Sequence, residues 1–236
     1  MRREPTQSAF IDFARLVVSG PFDEVRRRLA ATPALARAVS EAGATRTEAR
    51  AFFFDDIRHY LYRGDTPLHM AAAAFRRPVA QLLIDHGADC RARNRRGAEP
   101  LHYAADANHW HPTAQAETIG YLTSAGADPN AVDRDGVAPL HRAVRTRSLA
   151  AVRALLDAGA DPTARNKHGS TPLHLAVQTT GRGGAGSERA REQQAGIVKL
   201  LLERGAKTTD RDRFGKQVSE AARSEWIRLL LTEAAG

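Results

Sequence analysis

The tetrads Thr66-Pro67-Leu68-His69, Glu99-Pro100-Leu101-His102, Ala138-Pro139-Leu140-His141 and Thr171-Pro172-Leu173-His174 recur along this chain at offsets of 33, 39 and 33 residues. A second marker, glycine-alanine followed by a polar residue, recurs at Gly87-Ala88-Asp89, Gly126-Ala127-Asp128, Gly159-Ala160-Asp161 and Gly205-Ala206-Lys207, at offsets of 39, 33 and 46. Both share a base spacing of 33, with 6 extra residues in one copy and 13 in another. A fixed period of this length restricts the fold to stacked copies of one small unit, because such a unit cannot bury an apolar face alone.

The parts of the unit have physical readings. Proline stands where the first turn of a helix has no use for its missing N–H, and a preceding Thr caps free backbone donors. A short first helix follows, such as Leu68 to Ala74. The second helix carries apolar residues at helical spacing, for instance Val152, Leu155 and Leu156, or Val198, Leu201 and Leu202. Gly87, Gly126, Gly159 and Gly205 then supply left-handed stops, and polar stretches such as Asp128 to Gly136 suit a hairpin-like turn into the next unit. The expected fold is an all-α helical solenoid of stacked helix-turn-helix repeats.

These residues resemble the ankyrin-repeat family, whose 33-residue unit is a turn and two helices with the TPLH signature. The loop insertions and the Arg-rich, Ala-rich usage suggest a bacterial type. The pattern predicts full units at 64–96, 97–135, 136–168 and 169–214, with capping units at 1–63 and 215–236. The C-terminal cap keeps the glycine and Trp226, Ile227 and Leu230 but replaces the tetrad with Gln217-Val218-Ser219-Glu220. The N-terminal cap places Phe10, Phe13, Leu16 and Val17 on one helix and Val25 and Leu29 on the next. The 6-residue excess falls between Ala104 and Gly126 and the 13-residue excess between Ala176 and Gly205, so both belong to loops joining the two helices of a unit.

Between Val39 and Gly64 no unit boundary fits. Here five of the chain's 14 aromatics, Phe52, Phe53, Phe54, Tyr60 and Tyr62, fall within eleven residues. Folded inward they cover the unpaired face of the first unit; left outside they form a patch of the kind that marks a partner site.

Composition adds limits. The chain has 236 residues, is 42% hydrophobic and 26% charged, and carries 35 Lys and Arg against 27 Asp and Glu, a formal charge of +8. No run of 18 apolar residues is present, so no spanning helix is expected, and Asp12 and Arg15 interrupt what would be the apolar core of an export signal. One cysteine, Cys90, cannot form an internal disulfide, which suits a reducing cytoplasm.

Signs of chemistry are weak. His69, His102, His141 and His174 occupy one motif position each, and the resemblance implies that they hydrogen-bond within and between turns. His109 and His111, with Asp106 nearby, fall short of the four ligands usual for zinc. The Gly181 to Ser187 run lacks the lysine and preceding strand of a phosphate-binding loop and reads as a solvated connection. Arg91 and Arg93 would lower the pKa of Cys90 if they faced it, but an inert thiol is the plainer reading. No GxSxG element is present, and no catalytic residue, metal or cofactor is assigned.

The resemblance implies that a partner docks on the concave side, formed by turn tips and first-helix ends. Tyr62, Arg63, Arg95, Arg96, Arg134, Arg145, Lys167, His168, Arg213 and Phe214 occupy those positions. The row is net basic against three acids, Asp65, Asp106 and Asp135. Arginine's planar fork suits carboxylates, so an acidic segment of another protein is the expected ligand, and solvation alone is the competing reading. Nucleic acid or an acidic surface is the alternative, though the row lacks interleaved aromatics.

Overall fold

The computed structural model describes residues 6–106, 111–178 and 187–233. The chain forms two compact units, 1–128 and 129–236, the division falling inside the stretch assigned to the second repeat. In the first unit α1 (Gln7–Ser19), α3 (Pro67–Ala73) and α5 (Pro100–Ala105) stack in one row, while α2 (Phe22–Ala31), α4 (Arg77–Asp85) and α6 (Pro112–Ser124) stack in a second. In the second unit α7 (Pro139–Arg145), α9 (Pro172–Ala176) and α11 (Val218–Ala221) form one row. Beside it lie α8 (Leu149–Asp157), α10 (Glu188–Glu203) and α12 (Glu225–Glu233). Each unit is thus a helical solenoid. Among the described residues no helix is long and apolar enough to cross a membrane.

The first helices last only five to seven residues and are nearly all interior; every residue of α3 is buried. Alanines let these helices approach closely, and Leu68, Leu101, Leu140 and Leu173 fill the space between rows, each at 1% exposure or less. Burying a leucine completely contributes about 2 kcal/mol. The N-terminal helices hold Phe10, Phe13, Val17, Val25 and Leu29 in the same core.

The motif histidines tie neighbouring repeats. His69 Nδ1 accepts the Thr66 N–H (3.1 Å) and its Nε2–H donates to the Ala98 carbonyl (3.1 Å). His141 does the same with Ala138 (3.2 Å) and Ser170 (3.2 Å), and His174 with Thr171 (3.2 Å) and Lys216 (3.3 Å). The separations from histidine to acceptor are 29, 29 and 42 residues; 42 − 29 = 13, the length of the second insertion, so the extra residues leave the stacking register intact.

Turn tips have their own repeat. Asn94, Asp133, Asn166 and Asp212 each use one side-chain oxygen to accept the N–H groups two and four residues later, at 2.8–3.2 Å. Tips are then laced by backbone bonds, Arg95 N–H to the Arg63 carbonyl in the first unit and Arg213 N–H to the His168 carbonyl in the second. Gly136 and Gly169 stand at φ +69° and +71°, where a Cβ would lie 2.9 Å from Lys167 N and 2.6 Å from Arg213 N. Only glycine permits both that backbone and that approach.

The stretch that fits no unit forms a β-hairpin, which departs from the purely helical expectation. β1 (Phe53–Phe54) pairs antiparallel with β2 (His59–Tyr60), with Phe53 opposite Tyr60 and Phe54 opposite His59. Residues 40–44 run along its other side, with Ala44 N–H on the Leu61 carbonyl and Ser40 N–H on the Asp65 carbonyl, both at 2.8 Å.

Candidate functional site

Alternation along the hairpin divides the aromatic cluster between two faces. Phe54, Ile57, His59 and Leu61 point inward and are buried; Phe53 and Tyr62 are half-exposed and Tyr60 is exposed. The inward face is the structural cover, with the His59 ring 4.4 Å from that of Tyr103 on α5. The outward face is a continuous aromatic surface, Phe53 to Tyr60 at 4.8 Å and Tyr60 to Tyr62 at 6.4 Å between ring centroids.

Tyr62 ends this surface beneath two arginines. The guanidinium carbons of Arg95 and Arg96 lie 5.5 and 4.6 Å from its ring centre, in the range of cation–π attraction. Arg95 also donates to the Ala44 carbonyl. Arg63 is exposed on the adjoining tip. The structure therefore brings Tyr62, Arg63, Arg95 and Arg96 together.

What holds the cluster from beneath is Asp65. Although expected on the surface, it is 0% exposed: its carboxylate accepts the Tyr62 N–H (2.6 Å) and the Asn94 side-chain amide (2.8 Å), and the Tyr103 hydroxyl lies 2.8 and 2.9 Å from its two oxygens. Asn94 in turn accepts the Arg96 N–H at 2.8 Å. Asp106, also expected at a first-helix end, is buried. Asp65 is drawn inward by the partners just named, and with both carboxylates buried the tips of the first unit present fewer exposed acids than the sequence count.

In the second unit the other predicted residues are less gathered. Arg134 and Arg145 are exposed, while Lys167 is paired with Asp135 and so presents less free charge. His168 is exposed and its carbonyl receives the Arg213 N–H. Arg213 lies over Phe214, 4.6 Å from the ring centre, and Phe214 is 75% exposed.

The remaining chemical signals do not assemble. Cys90 is half-buried with its Sγ donating to the Ala125 carbonyl at 3.4 Å, and burial pushes its pKa up, against the lowering that Arg91 and Arg93 would give. His109 and residues 181–186 of the glycine run lie outside the described residues, whereas His111 opens α6 and the Ser187 hydroxyl caps α10 (3.3 Å to Ala190 N). Among the described residues no three His, Cys, Asp or Glu side chains gather as metal ligands would.

The tetrads, the stacked helix pairs and the laced tips are those of one family. Residues 35–133 and 110–212 match Ankyrin repeats (3 copies), and the chain belongs to the ankyrin-repeat family. It is similar to E3 ubiquitin-protein ligase KEG of Arabidopsis thaliana, 43% identical over 81 residues, which cover 34% of this chain and 5% of that protein. It is also similar to B-cell lymphoma 3 protein of Homo sapiens, 36% identical over 97 residues, covering 39% of this chain and 20% of that one. The chain thus spans a small part of either relative, and the ligase match involves the repeat region. Ankyrin repeats generally mediate protein–protein interaction and are typically non-catalytic.

Proposed function

We propose that the chain is a non-catalytic, cytoplasmic interaction scaffold that binds an acidic segment of a partner protein on its turn-tip side, chiefly through Tyr62, Arg63, Arg95 and Arg96. The observation that carries this reading is the stacking of Arg95 and Arg96 on Tyr62 while the nearest tip carboxylate, Asp65, is consumed internally. A guanidinium stacked on a ring still has N–H groups at its edge that fit carboxylates, and Arg95 gives one of its own to the Ala44 carbonyl. Arginine and tyrosine are also the side chains most enriched where binding energy concentrates. The lone, hydrogen-bonded thiol of Cys90 accords with a reducing compartment.

A photo-crosslinking amino acid placed at Arg63 tests the reading. It predicts a nuclease-resistant adduct to a protein whose captured peptide is rich in Asp and Glu. An adduct that disappears with nuclease would assign the tips to nucleic acid instead.

A further inference from the structure

The hairpin is additional to the repeats, and its outward face is unused by the core. Phe53 and Tyr60 form a cross-strand pair on that face, Tyr62 continues it two residues on, and the two arginines close it at one end. The opposite end, the hairpin turn, carries exposed Asp55 and Asp56. One surface therefore runs from carboxylates through three aromatic rings to guanidiniums.

We propose that this face is the anchor site for the acidic segment: it takes an aromatic or large aliphatic side chain on Phe53 and Tyr60, with the flanking carboxylates of the same segment on Arg95 and Arg96. The proposal rests on the reading above and extends it from charge to an apolar contact. Three observations carry it. Charge is polarised along the face, so a segment with its carboxylates beside the anchor is attracted at the arginine end and repelled at the turn, which fixes its direction. Among the described residues no carboxylate pairs with Arg96, so the segment's carboxylates meet no internal competitor there. The platform is also set before binding, because Asp65, Asn94 and Tyr103 fix Tyr62 and the arginine tip from the interior.

The same geometry argues against other ligands. A lysine or methylated amine would meet Tyr62 already occupied by two cations. A nucleobase needs an open ring face to stack on, but Phe53 and Tyr60 are tilted 53° against each other and Tyr62 is covered.

Fluorescence anisotropy with three fluorescein-labelled probes decides between these outcomes. Two are twelve-residue peptides of alternating Glu and Gly, one carrying a central Trp and one a central Gly; the third is an oligothymidylate of equal length. The expected result is that the Trp peptide binds about tenfold more tightly than the Gly peptide. That advantage vanishes in Tyr60→Ser and in Phe53→Ala, and Arg95→Glu/Arg96→Glu abolishes binding of both peptides. Equal binding of the two peptides, lost on charge reversal, would overturn the anchor while leaving the charge reading standing. Binding of neither peptide would overturn both, as would preferential, arginine-dependent binding of the oligonucleotide. Tyr60→Ser changes an exposed side chain, and an unchanged urea midpoint separates its effect from loss of the hairpin.

Discussion

The side-chain amide of Gln194 donates to the Ala176 carbonyl at 2.6 Å, and Gln115 makes the same bond to Ala104 at 2.8 Å. Both glutamines lie eleven residues before their repeat's glycine stop, and both alanines two residues after their motif histidine. In the two repeats without insertions those positions are joined by backbone instead, Arg76 N–H to the Ala71 carbonyl at 3.0 Å and Ser148 N–H to the Ala143 carbonyl at 3.1 Å. A tight loop satisfies the carbonyl at the end of the first helix with its own N–H. Where the loop is lengthened, a buried glutamine reaches across to that carbonyl.

Removing that donor leaves a buried carbonyl unsatisfied, which costs about 1–3 kcal/mol. Gln194→Ala is expected to lower the urea midpoint by this amount. Glu192→Ala, an exposed change two residues away in the same helix, stays within about 0.5 kcal/mol of wild type. Equal effects would show that the glutamine bond is not what accommodates the insertion.

Tyr103→Phe deletes the hydroxyl that reaches both oxygens of Asp65. A hydrogen bond to a buried charge is worth about 1.5–3 kcal/mol, so a loss of that order is expected in equilibrium unfolding. Amide exchange should rise at Tyr62, whose N–H is held by the same carboxylate.

Arg147 stands at φ +58° in the tight loop between α7 and α8, a region that costs a non-glycine residue about 1 kcal/mol. Arg147→Gly relieves this at the expense of greater freedom in the unfolded chain and of a long contact, 3.4 Å, to the Gln178 carbonyl. The expected net effect is a stabilisation of up to about 1 kcal/mol in thermal or urea unfolding. A destabilised variant would contradict the strain.

Burial lowers the pKa of His141, and the geometry agrees, since Nδ1 already accepts the Ala138 N–H and cannot take a proton without breaking that bond. The unfolded chain binds the proton more readily than the folded one. The resulting stability is full above the ordinary imidazole value of about 6.5 and is lost as pH falls below it. For Asp133, burial alone would raise the pKa, but Arg142 and two amide donors outweigh it and the pKa is lowered, so its window lies below the ordinary carboxylate range. Glu99, raised by burial, acts with the opposite sign and favours the fold on acidification. Urea midpoints at pH about 7.5 and about 5.5 should therefore differ less in His141→Gln than in wild type; an unchanged difference would remove His141 as the cause.

Much of this was legible in the chain. Repeated tetrads and glycines are backbone instructions, and they fixed the helix pairs because each unit reports on the next. Even the pairing of Tyr62 with Arg95 is encoded, for they lie 33 residues apart, one base period, and so fall on neighbouring tips. Asp65 was misread because its burial depends on Tyr103, 38 residues away, which no local pattern announces. The hairpin left a faint signal in His59-Tyr60-Leu61-Tyr62, where alternate residues face in and out, but four residues are too few to override a helical context. The glutamine exchange was invisible until the lengthened loops had known ends.

The central claim is that the Tyr62 and arginine tip recognises a protein. The most direct measurement is quantitative capture from lysate of the source cell, nuclease-treated and at graded salt, comparing wild type with Arg95→Glu/Arg96→Glu. The account predicts at least one protein bound by wild type after nuclease, weakened by salt and lost on charge reversal. A variant that retained every wild-type partner would contradict it.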